Sequence, residues 1–357
     1  LEGIPLIWLQ TASSLVRFVS CYPHSWMIGF LAMLIRCQAG VKSDADPETL
    51  CSPAMKHQTL QEGLDAFYRC ISTLILILCS IDKKPELGEV PLFMLLPPNE
   101  AVYRADWDQL GFTGHDACDD GFATLDFQPN SDRKIEVLLS TWPPEVLNLI
   151  MKMRQSELRE FENDFLTMGN LEHAAVLANN LQFGQSNYYK KLMLHITDSQ
   201  NAKGCINRSF SPNFVDQEMR RLASWLKVRY SFSESAIWVN TWMNLLLDLL
   251  SRLFHNGVLD SKVMQNIVGF CNKIGFELVF VKPCAEVTML LHWLTVQHKS
   301  SLSLVSVYEQ ASINVHSDPP GSLSSSPSDV STLSDRESYV PCPLVLTPEG
   351  NCAIPLY

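Results

Sequence analysis

The strongest constraint on this chain is an apolar stripe of helical period. Leu60, Leu64, Phe67, Ile71, Leu74 and Leu78 recur at spacings of four and three, which line one face of an α-helix. The spacing predicts a helix over His57 to Ile81. A second stripe, Trp238, Trp242, Leu245, Leu249 and Leu253, predicts a helix over Glu234 to Phe254. Ser231 and Glu234 stand at capping-box spacing before it, and Gly257 is its expected stop. Residues 245–250 are apolar almost all round, so this end is expected to be packed on several sides. A shorter helix over residues 284–298 follows Pro283.

Strand signals are sparse. Glu277 to Val281 (ELVFV) and Lys134 to Leu139 (KIEVLL) have the composition of short strands. No long stretch alternates, no hairpin dipeptide separates two apolar runs, and no strand–helix–strand rhythm is visible. The expectation is an all-α chain of stacked amphipathic helical hairpins, solenoid-like or an irregular bundle. It divides into an N-terminal helical segment (1–81), an irregular connecting region (82–143), a C-terminal helical-hairpin domain (144–312) and a disordered Ser/Pro-rich tail (313–357). Polar loops are expected at 38–56 and 200–213. The tail, HSDPPGSLSSSPSDVSTLSDRES in its first part, has too few apolar residues to offset the entropy of ordering.

Residues 162–181, ENDFLTMGNLEHAAVLANNL, read as a turn, Met168-Gly169-Asn170-Leu171, between two amphipathic helices. Gly169 would end the first helix, and Ala174, Ala175 and Ala178 would let the second pack closely. The turn and its flanking helices resemble the hairpin of a tetratricopeptide repeat, a resemblance that covers about 35 residues. No second copy follows at a period near 34, as an array would require. No family resemblance extends over the whole chain.

Charged residues make up 18% of the chain and the net charge is −11. So little charge implies a thick core or a surface that a protein partner covers. The acidic balance argues against nucleic acid, whose phosphates need clustered Lys and Arg. The densest basic patch, Arg220, Arg221, Lys227 and Arg229, spreads over more than one helix face. Eleven cysteines without a CxxC pair, with Cys70, Cys79 and Cys271 inside apolar stretches, read as buried free thiols. That places the chain in a reducing, intracellular compartment, cytoplasmic or nuclear. Its clean apolar runs fall short of the ~20 residues of a membrane span, and the N-terminus lacks the basic region of a secretory signal.

The stretch GHDACDDGFATLDF, residues 114–127, carries the densest chemistry. Read as a calcium loop from Asp116, it offers Cys118 and Phe127 where oxygen ligands belong. A zinc site from His115 and Cys118 has no paired motif to complete it. The carboxylates around Cys118 raise its thiol pKa and blunt a Cys–His pair. The expectation is a polar turn in which Asp119 or Asp120 caps a short helix carrying Phe122 and Leu125 into the core. No GxSxG, GxxxxGK[ST], GxGxxG or HExxH is present, so no catalytic, metal or cofactor residue is assigned. His292 reads as a core or interface residue and His173 as solvated.

The function that follows is a non-enzymatic helical scaffold or adaptor, one subunit of a larger intracellular complex. Trp225, Trp238, Trp242 and Trp293 would line apolar grooves that take partner helices. Ser326, Ser334 and Thr347 would make the tail a phosphoregulated segment. The alternative is an enzyme or regulatory domain with its site near His115–Cys118, distinguished by whether those side chains converge with a perturbed titrating group.

Overall fold

The computed structural model describes residues 3–19, 46, 48–51, 59–89, 91, 101–127, 133–155, 166–208, 214–255, 258–296 and 303–308. Strand β1 (Ile4–Pro5) and helix α1 (Leu6–Val19) lead to β2 (Leu50–Cys51), which pairs back on β1, and to α2 (Leu60–Lys83). The periodic stripe is realised in α2: Leu64, Phe67 and Leu74 are buried, and a Thr59–Glu62 capping box starts the helix.

The expected irregular region contains the centre of a β-sheet. Strands β3 (Leu110–Ala117), β4 (Gly121–Phe127) and β5 (Lys134–Thr141) form an antiparallel meander. Then come α3 (Pro144–Gln155), α4 (Met168–Asn187), β6 (Leu192–Thr197), α5 (Gln200–Arg208), α6 (Phe214–Tyr230) and β7 (Ser233–Trp238). After α7 (Leu245–Ser251), a small hairpin of β8 (Phe254–His255) and β9 (Val258–Leu259) leads to α8 (Ser261–Ile274), β10 (Glu277–Val281) and α9 (Ala285–Val296). The six-stranded order is β10-β5-β4-β3-β6-β7, with β10–β5, β3–β6 and β6–β7 parallel.

The chain is therefore an α/β fold, not all-α, and not a helical repeat. Its sheet is covered on both faces. Phe122, Leu138 and Met193 pack under α4, α6 and α9. Ala123, Leu125, Ile135 and Val137 pack against α7 and α8. Strands buried on both sides need not alternate apolar and polar residues, which removes the signature that would reveal them in sequence.

Several local expectations change with it. The ELVFV and KIEVLL segments are strands, paired in parallel at Leu278↔Ile135 and Phe280↔Val137. The predicted helix over Glu234 to Phe254 begins as a strand: residues 233–238 extend along β6, and Ser231 sits at φ 50°, incompatible with a helix entry. After a single 3-10 turn at Thr241–Met243, only Leu245–Ser251 is α-helical, with Leu247 and Leu250 buried but Leu245 exposed. Met168 starts a helix instead of ending one. Thr167 is the N-cap and Asn170 completes its capping box, so the tetratricopeptide-like turn is not formed. Ala174, Ala175 and Ala178 are buried as anticipated. The expected loop at 200–213 holds α5.

The Cys118–Gly121 turn is a β-hairpin, not a helix cap. Cys118 N–H donates to the Gly121 carbonyl at 2.8 Å. Gly121 is demanded by crowding: a Cβ there would lie 2.3 Å from the Ser140 carbonyl oxygen on β5. Phe122 and Leu125 do reach the core, on a strand and toward opposite faces.

Helix α6 is buried on its polar side as well as its apolar one, because α2 lies over it. Arg69 of α2 donates to Glu218 at 3.0 Å, and Arg221 pairs with the same carboxylate. By length and composition alone, α2 is apolar enough to cross a membrane. Here it packs its apolar side beside Ile4, Leu9 and Val228.

Candidate metal centre

Three carboxylates separated by 56 and 26 positions meet at the carboxyl ends of the central parallel strands. Asp116 is the penultimate residue of β3, Asp198 follows β6 directly, and Glu172 stands in the second turn of α4. One ligand oxygen from each lies within 4.8 Å of the others. The crevice beyond the carboxyl ends of adjacent strands is where open α/β sheets place their ligands.

The electrostatics of the cluster are strained. Burial, together with the charges of Asp116 and Asp198, pushes Glu172 up to about 9. Its Oε2 is buried without a hydrogen-bond partner. Burial pushes Asp116 up to about 6, against a hydrogen bond donated by Ser251 Oγ of α7. Arg252 lowers Asp116 somewhat, but its side chain pairs with Asp248 at 2.8 Å. Nearby, Trp238 Nε1 donates to the Asp198 carbonyl at 2.8 Å, tying the end of β7 to the site. Three oxygen donors suit a hard cation such as Mg2+, Mn2+ or Ca2+ and not a thiophilic one.

His115 and Cys118, flanking Asp116, do not join it. His115 points into the fold, where its Nε2 lies 3.1 Å from His195 Nδ1. Burial and the His195 ring hold its pKa well below the usual imidazole value. His195 Nε2 lies 3.2 Å from Glu234, which also pairs with Lys227 at 2.8 Å and accepts from Asn180. Cys118 Sγ donates to the Ser251 carbonyl, and burial raises its thiol pKa.

The proposed partner-binding tryptophans do not form one surface. Trp225 and Trp293 are buried, whereas Trp238 is 37% exposed. Trp242 lies in a single 3-10 turn, and its side chain is outside the described residues. Ser326, Ser334 and Thr347 also fall outside them. Of the basic patch, Arg220, Arg221 and Lys227 are buried. Cys70 and Cys271 are buried thiols, but Cys79 is exposed. His292 is exposed, and His173, expected in solvent, is buried.

Glu172 and Asp198 went unread in the sequence because no short motif contains them. The available signal was a combination: Asp116 at the end of a run that is now a strand, and Asp198 just after LMLHIT, a similar apolar run.

No protein-family model matches the chain, and no curated protein matches it. Among solved structures, the crystal structure of RNase H1 from the halophilic archaeon Halobacterium salinarum NRC-1 is similar at a TM-score of 0.26 and 11% identity. That match covers 40% of this chain and 92% of the other. A likeness at that score carries no argument, and the reading of the site rests on its own geometry.

Proposed function

We propose that this chain binds a divalent cation, Mg2+ or Mn2+, through Asp116, Glu172 and Asp198, and uses it to hold a phosphate ester for hydrolysis or transfer. The observation that carries the reading is Glu172: a carboxyl aimed at two others, with one oxygen buried and unpartnered. A group in that state destabilises a fold unless a proton or cation offsets it. Mg2+ typically takes one or two carboxylates, keeps several waters, and completes its shell with substrate phosphate oxygens. When bound, it would supply Lewis-acid polarisation of a phosphoryl oxygen. Asp116 and Asp198 would hold the ion from the rigid strand ends. Glu172 would exchange its proton for the ion, and Ser251 would orient the Asp116 carboxylate.

The substrate reading favours a small phosphate ester over a nucleic-acid backbone. Most of the densest basic cluster is interior, so it cannot neutralise a run of phosphates. Mn2+ titration of the full chain, followed by electron paramagnetic resonance and calorimetry, tests the proposal. Saturable binding should weaken at least tenfold in Glu172→Gln and Asp198→Asn. With Mn2+ present, the chain should hydrolyse p-nitrophenyl phosphate, and both variants should lose that activity. Wild-type chain that takes up no Mn2+ at millimolar concentration would overturn the reading.

A second reading, partner docking, is supported by a different observation. Ile237, Trp238, Met243 and Leu245 are all exposed within nine residues, beside the same site. An apolar patch of this kind fits a protein partner better than solvent. Cross-linking from position 243 in cells distinguishes a docked protein from a patch that faces only substrate.

A further inference from the structure

Glu172 has a neighbour that faces a different part of the fold. His173 follows it on α4 and points between α5 and α6, where it meets Cys205 of α5 and Asp216 of α6. One ligand atom from each of the three lies within 4.8 Å of the others, and all three residues are buried. His173 Nδ1 lies 3.1 Å from Asp216 Oδ1. Asn170 Nδ2 donates to the same carboxylate oxygen at 2.9 Å. None of this belongs to the acidic cluster, and the proposed reaction uses none of it.

We infer that His173, Cys205 and Asp216 form a second metal site, one that takes zinc and pins α4, α5 and α6 together. The donor set is one nitrogen, one sulfur and one oxygen, which suits Zn2+ and not Mg2+ or Ca2+. With Zn–S near about 2.3 Å and Zn–N or Zn–O near about 2.0–2.2 Å, tetrahedral ligand atoms lie roughly 3.3–3.7 Å apart. Closing from within 4.8 Å therefore needs side-chain shifts of about an ångström. Charge also balances: a thiolate and a carboxylate neutralise one Zn2+, which removes the main penalty for a buried ion. The Asn170 amide supplies the outer hydrogen bond that ligating carboxylates usually have. Three protein ligands leave one position for solvent.

The role that follows is positional. Among the described residues these three helices share no other group of metal-ligating side chains. Zinc here would fix the first turns of α4, and with them the direction of Glu172. The inference does not depend on the acidic cluster binding anything.

The test loads the full chain with Co2+ as a spectroscopic substitute for zinc. In the wild type the near-ultraviolet thiolate-to-cobalt charge-transfer band and the visible bands of a four-coordinate site should saturate at one equivalent, whatever further Co2+ the acidic cluster takes up without a charge-transfer band. Zinc should displace the cobalt from this site and raise the melting temperature. Cys205→Ser should lose the charge-transfer band and lower zinc retention after dialysis at least tenfold, while Glu172→Gln keeps both. If the wild type, folded by circular dichroism, shows no charge-transfer band and retains no zinc, the cluster is only a hydrogen-bond network and the inference fails. Zinc retained equally by Cys205→Ser would also overturn it. The Mn2+ titration of the acidic cluster is read separately, so either proposal can fail alone.

Discussion

Residue by residue, the sharpest consequences come from groups held in states they would not choose in water. Glu172 keeps its proton up to about 9 in the fold, against an ordinary value of 4.5. A carboxyl that is protonated when folded and ionised when unfolded makes the fold less stable as pH rises above 4.5. Glu172→Gln should therefore melt at a higher temperature than the wild type in metal-free buffer at pH 7. The gap should shrink toward pH 4.5 and reverse when saturating Mn2+ is added. Thermal melts with and without chelator measure both. Gly121 is constrained by packing: a methyl group there meets backbone, not a movable side chain, at 2.3 Å. Gly121→Ala should cost roughly 1–3 kcal/mol in chemical unfolding.

At the scale of elements, the sheet edge shows how one helix substitutes for a missing strand. The outer side of β7 would leave backbone groups unpaired. Asn207 of α5 accepts from the Ala236 N–H and donates to its carbonyl, both at 2.8 Å, as a neighbouring strand would. Asn207→Ala should speed amide exchange at Ala236 and cost roughly 0.5–1.5 kcal/mol, because solvent replaces part of the loss. Trp238, at the exposed end of the same strand, is not a core residue. Trp238→Ala should change stability by less than about 1 kcal/mol, well below the roughly 3–5 kcal/mol of a core tryptophan. A larger loss would mean that the exposed patch is structural.

On the scale of the whole molecule, buried ion pairs join the layers. Burial alone would raise Glu218 and Glu234. Arg221 and Arg69 around the first, and Lys227 and His195 around the second, more than offset it and hold both below 4.5. Their contribution is complete above 4.5 and is lost as pH falls below it, so melting temperature should drop steeply on acidification from pH 5 to pH 3. Breaking one pair tests the same link: Arg221→Met leaves Glu218 buried and short of a partner, at a cost of about 3–5 kcal/mol.

How much of this was legible follows from what each signal depends on. The α2 stripe, the 285–296 helix, the two short strands and the close-packing alanines were all readable locally, whereas the stretch around Asp116 read as a polar turn. Each rests on spacing or side-chain chemistry within a few residues. The α/β class was not readable, because a sheet covered on both faces erases alternation and leaves apolar runs that pass for helix. The candidate site was hidden for a related reason. Asp116, Glu172 and Asp198 have no common motif; the parallel pairing of β3 with β6 and the packing of α4 over β3 bring their carboxylates together. His173 looked like a surface residue until α5 and α6 closed over it. By itself, then, the sequence determined local apolar faces such as the α2 stripe and the alanines of α4, because those depend only on spacing within one segment. Tertiary pairing alone decided which charged groups would be buried together, because burial and charge proximity are properties of contacts between distant segments.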